Sequence, residues 1–81
     1  MNTITNVLII HTGENVDDFK EEIELQFPAL ENVLTCHIDC VSDLVTTVPY
    51  KFGCAIATPS VKKDLIPKFP YTIEILYHPH N

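Results

Sequence analysis

Two short runs in this chain, Val7-Leu8-Ile9-Ile10 and Cys54-Ala55-Ile56-Ala57, are apolar at every position. A strand with one wet face alternates apolar and polar residues, so a strand without that alternation needs cover on both faces. Two other segments do alternate. Leu34, Cys36, Ile38 and Cys40 stand opposite Thr35, His37 and Asp39, and Ile73, Ile75 and Tyr77 stand opposite Thr72, Glu74 and His78. Two inner and two outer strands, separated by helical segments, predict an α/β domain with a four-stranded sheet in the order 2-1-3-4.

The elements follow as a βαβαβαβ chain: strands over 4–11, 33–39, 52–58 and 71–77, helices over 15–27 and 41–48, and a helical turn over 60–66. The first helix is the clearest, since Val16, Phe19, Ile23, Phe27 and Leu30 form one apolar stripe. Asn15 suits its N-cap, and Asp17 and Asp18 suit its first turn. Right-handed crossovers place this helix on one face of the sheet and the two shorter helical segments on the other. The sheet is expected to be mainly parallel. The 12 residues from Pro59 to Pro70 barely suffice for a parallel crossover, so strand four is also compatible with an antiparallel return.

At 81 residues the whole chain, 1–81, is expected to be one domain burying roughly 60% of its unfolded surface. Nothing approaches the ~20 apolar residues of a membrane span, and the N-terminus lacks the basic segment of a secretory signal. Three cysteines preclude a complete disulfide framework, which favours a reducing, cytoplasmic setting. There is no arginine. With a net charge of −6, that argues against nucleic-acid binding and against clamping a polyphosphate. Abundant isoleucine and asparagine without arginine also suits an AT-rich gene, such as a small viral one.

Charge is divided along the chain. Residues 1–43 carry nine acids and one lysine, a net −8, whereas residues 44–81 carry two acids and four lysines, a net +2. Glu14, Asp17, Asp18, Glu21, Glu22 and Glu24 crowd the first helix. Like charges at i and i+4 (Asp17 with Glu21, Asp18 with Glu22) repel, and Lys20 offers the one nearby pairing, with Glu24. A face chosen for solubility alone mixes signs more often. The leading expectation is therefore a non-enzymatic protein, an inhibitor or adaptor, that docks a basic protein surface through these six acids. No catalytic residue, metal or cofactor is assigned.

Two alternatives compete. In a 2-1-3-4 sheet the ligand crevice lies beyond the carboxyl ends of strands one and three, here His11, Thr12, Gly13, Thr58 and Ser60. Hydroxyls, an imidazole, a glycine turn and two helix N-termini would meet there, as a small-molecule or phosphotransfer domain requires. Few glycines and the neighbouring acids weigh against phosphate. The second alternative is a homo-oligomeric structural protein paired through the edge of strand four, which carries only Glu74 as charge.

Cys36, His37, Asp39 and Cys40 resemble a metal cluster on paper. On a continuous strand Cys36 and Cys40 would lie roughly 13 Å apart, too far to share a zinc or a disulfide, so buried structural thiols are expected. Cys54 reads the same way. His78 and His80 share a side of an extended tail, a weak metal contact at most. Tyr50, Phe52, Phe69 and Tyr71 lie beside the group Lys51, Lys62, Lys63 and Lys68 in sequence; the expectation is aromatics sealing a sheet edge with lysines wetting its rim.

Overall fold

A computed structural model describes residues 5–13 and 16–77. Four strands, β1 (Asn6–His11), β2 (Asn32–His37), β3 (Cys54–Ala57) and β4 (Glu74–Tyr77), form one sheet in the order β2-β1-β3-β4. All three pairings are parallel. Strand four therefore joins as a fourth parallel strand. Its crossover is longer than the sequence suggested, because β3 ends at Ala57 and β4 begins only at Glu74, leaving 58–73 to connect them.

Two helices complete the fold, α1 (Asp17–Gln26) and α2 (Val41–Thr47). Ile9 of β1 and Val33 of β2 pack with Ile23 of α1 on one face, joined by Val16, Phe19, Leu30 and Ile56. Leu8 and Ile10 pack on the other face with Val41 and Val45 of α2, Phe52, Ala55, Ala57 and Val61. The inner strands are thus covered on both sides, which is why their sequences do not alternate. Side-chain amides tie the amino ends: Asn32 Nδ2 donates to Asn6 Oδ1 at 2.7 Å, and Asn6 Nδ2 donates to the Lys51 carbonyl at 3.1 Å.

Four sequence expectations are corrected. The predicted strand over 33–39 stops at His37, and 38–40 turn into a 3₁₀ helix that leads directly into α2. Cys40 therefore leaves the sheet and is exposed, while Cys36 and Cys54 are buried as expected. The predicted helical turn over 60–66 shrinks to a 3₁₀ turn at Lys63–Leu65. In the predicted apolar stripe, Phe27 falls just past α1 and is 53% exposed. The described helix begins after Val16 without a side-chain cap, and Asn15 lies outside the described residues.

Among the described residues, no helix is long and apolar enough to cross a membrane.

Candidate functional site

The carboxyl ends of β1 and β3 bring the predicted crevice residues into two small clusters. The first is built of hydroxyls. Thr12 Oγ1 donates to Ser60 Oγ at 2.7 Å, and Ser60 Oγ stands 3.3 Å from Thr58 Oγ1. The Thr58 amide donates to the Ile10 carbonyl at 3.0 Å, carrying the β1–β3 ladder one residue further. Ser60 is the node that laces the loop after β1 to the loop after β3.

The second cluster contains a residue that sequence reasoning did not include. The β1–β2 register sets His37 beside His11, with ring centroids 5.8 Å apart and planes at 84°. Each ring uses Nδ1 as an acceptor for a backbone amide two residues ahead: Gly13 N–H donates to His11 at 3.0 Å and Asp39 N–H donates to His37 at 3.1 Å. A neutral imidazole accepting at Nδ1 holds its proton on Nε2. In this arrangement Nε2 of each ring carries an N–H donor rather than the lone pair a base or nucleophile needs. Asp39 Oδ2 also stands 3.5 Å from His37 Nδ1.

Gly13 closes the turn after His11 with a φ of +101°. That backbone region suits glycine and strains any side chain. Gly13→Ala is expected to cost about 1 kcal/mol despite the open space, where a Cβ would come no nearer than 4.0 Å to His37 Cδ2. Urea unfolding checks this, and an unchanged midpoint would mean the turn is not formed as described. α1 starts at this edge after β1 and α2 after β2, whereas the segment after β3 holds just the 3₁₀ turn. The helix N-terminus expected at the crevice after strand three is not that of an α-helix among the described residues.

The acidic surface lies on the other side of α1 from its packing face. Asp17, Asp18, Glu21, Glu22 and Glu24 are all exposed, and Glu14 lies outside the described residues. Lys20 Nζ pairs with Glu24 Oε1 at 3.3 Å, as the i, i+4 spacing predicts. Among the described residues no base reaches ion-pair distance of Glu21 or Glu22. Asp18, Glu21, Glu22 and Leu25 stand at i, i+3, i+4 and i+7, forming one outward stripe. Leu25 is 75% exposed at its end, with Phe27 just beyond. The stripe is thus an acidic ridge tipped with apolar groups. The signal for this was in the sequence, since Leu25 falls on the charged side of the helical wheel.

Among the described residues no group of three or more His, Cys, Asp or Glu is placed to hold a metal ion. The strand-spacing argument against pairing Cys36 with Cys40 no longer applies, because Cys40 sits on a 3₁₀ turn. Burial, with Cys40 nearby as a second cause, pushes the Cys36 thiol up from its ordinary range; burial, then the Glu74 carboxylate, does the same to Cys54. Both therefore hold less of the reactive thiolate. A thiol reagent at neutral pH is expected to label Cys40 rapidly and the other two only on unfolding. Cys40→Ser should abolish the fast phase; a fast phase that persists would refute the burial of Cys36 and Cys54. His78 and His80 lie outside the described residues.

Fold and surface together define a small parallel α/β domain with an acidic helix on one face and a hydroxyl–imidazole edge at its strand ends. No protein-family model matches the chain, and no curated protein or solved structure shows significant similarity to it.

Proposed function

We propose that this chain is a non-enzymatic binding protein, an inhibitor or adaptor, that docks a basic protein surface through α1. The observation that carries this reading is the exposed ridge of Asp18, Glu21 and Glu22 ending in the exposed side chain of Leu25. Charges of one sign steer association and fix orientation, while apolar groups at the contact supply affinity. Asp17 and Glu24 flank the ridge and extend its field. The histidine–hydroxyl edge supports a ligand site less well, because its hydroxyls and both Nδ1 atoms are engaged in holding the loops.

The test is a set of shape-preserving neutralisations, Asp18→Asn, Glu21→Gln and Glu22→Gln, compared with wild type for capture of basic partners from the source cell. Loss of the captured protein with an unchanged circular-dichroism spectrum is expected. Retention of the same partner at the same salt would overturn the reading.

A further inference from the structure

Five large hydrophobic side chains stay exposed among the described residues: Leu25, Phe27, Leu65, Leu76 and Tyr77. They fall in two places. Leu25 and Phe27 tip the acidic ridge of α1. The other three lie on the 3₁₀ turn and β4, at the lysine-bearing edge. On the α2 side of that edge, two open hollows of about 440 and 430 Å³ adjoin at Tyr71. The first is walled by Lys63, Lys68, Phe69, Ile75 and Tyr77, and the second by Tyr50, Lys51 and Pro70.

This groove is built firmly. The Tyr71 hydroxyl accepts the Phe52 amide hydrogen at 3.0 Å, which fixes the ring between the hollows. Lys51 Nζ lies 5.5 Å from the Tyr71 ring centre and Lys63 Nζ 4.8 Å from that of Tyr77. Such contacts hold ammonium groups over aromatic walls without neutralising them. Among the described residues none of the four lysines Lys51, Lys62, Lys63 and Lys68 makes an ion pair. Asp64 is the one acid on the 3₁₀ turn. Glu74 alternates with Ile73, Ile75 and Tyr77 along the strand and so faces the opposite side of the sheet.

The acidic ridge and the lysine groove complement each other in charge and in apolar character, yet they occupy opposite faces of one sheet. They cannot meet within a molecule. We infer that the basic surface docked by α1 is carried by a second copy of this chain: the ridge of Asp18, Glu21, Glu22 and Leu25 seats in the groove of Lys51, Lys63, Lys68, Tyr71 and Tyr77. The inference rests on the docking role proposed for α1 and names its partner. Such a contact is heterologous, head to tail. It closes into a ring if the rotation permits and otherwise extends into a filament.

Each copy carries −6 overall, so salt must screen the long-range repulsion before contact pairs can act. At about 0.1 M salt the Debye length is roughly 10 Å, which does this; at about 1 M it is roughly 3 Å, and the contacts themselves weaken. Sedimentation velocity at about 0.1 M salt is expected to show wild type growing with protein concentration beyond a dimer. At about 1 M the association constant should fall about tenfold or more, the signature of contact between opposite charges. The ridge variant (Asp18→Asn, Glu21→Gln, Glu22→Gln) and the groove variant (Lys51→Gln, Lys63→Gln, Lys68→Gln) should each be monomeric. Mixed, they should stop at a 1:1 pair, because one intact ridge then meets one intact groove. Circular dichroism establishes that both variants are folded. A monomeric wild type at all concentrations, or an association that either variant leaves intact, overturns the inference. If wild type is monomeric yet captures a foreign basic protein that the ridge variant loses, the docking role of α1 survives and only its partner is wrong. If the ridge variant also keeps that protein, both fall.

Discussion

Phe52→Ala is expected to be the most damaging single truncation, lowering stability by about 3–5 kcal/mol. Phe52 is 2% exposed and is the largest fully buried side chain. Its ring packs edge-to-face on Tyr50 with centroids 5.5 Å apart, and its amide donates to Tyr71. Removing it opens the core between β1, α2 and the segment leading to β4. A domain of this size holds only about 4–12 kcal/mol in all, so the loss is a large share. Leu25→Ala makes the contrast, since an exposed side chain is worth less than about 0.5 kcal/mol. Chemical denaturation of both variants decides the matter. A cost below about 1 kcal/mol for Phe52→Ala would mean that the face under α2 is not packed as described.

Neutralising Asp18, Glu21 and Glu22 is expected to weaken binding while leaving stability nearly unchanged. Asp18 with Glu22, and Asp17 with Glu21, are like-charge pairs at i and i+4 that cost a few tenths of a kcal/mol each. Relieving that repulsion is offset by losing the Asp18 charge from the first turn of α1, worth about 0.3–1 kcal/mol there. The variant should therefore unfold close to wild type while binding at least about tenfold more weakly, some 1.4 kcal/mol of association free energy. That combination separates a working surface from a merely solvated one, since charges kept only for solubility would leave binding unmoved. A variant less stable than wild type by well over about 1 kcal/mol would show that these acids hold α1 in place.

The sheet was largely legible in the sequence because burial on both faces leaves a direct mark. Leu8, Ile9 and Ile10 are fully buried, and Ala55 and Ala57 likewise. The parallel direction of β4 was not legible. It depends on the length of the crossover, and Tyr71–Ile73, which alternate like a strand, belong to the connection. The end of β2 was missed for a similar reason. Ile38 and Cys40 continue the alternation of Leu34 and Cys36, but the Asp39 amide turns back onto His37 Nδ1 and starts a 3₁₀ turn. Periodicity cannot register a side chain that captures its own backbone.

The crevice residues were legible from topology alone, since strand order fixes where strand ends converge. His37 was not, because its place beside His11 depends on the pairing register of β1 and β2, which composition does not encode. Phe27 was assigned inward by helical spacing. The helix ends at Gln26, and Phe27, at φ −129° and ψ 72°, carries its ring out to solvent. That departure supplied part of the apolar tip on the acidic ridge.

The central claim, that α1 is a docking surface, is tested most directly by immobilising wild type and the triple-neutralised ridge variant side by side. Source-cell lysate is passed over both, and both are washed at low and then moderate salt. The account predicts one stoichiometric basic protein, or additional copies of the chain itself, held by wild type, released by salt and absent from the variant. The same protein held equally by both surfaces, or nothing held by either, would contradict it.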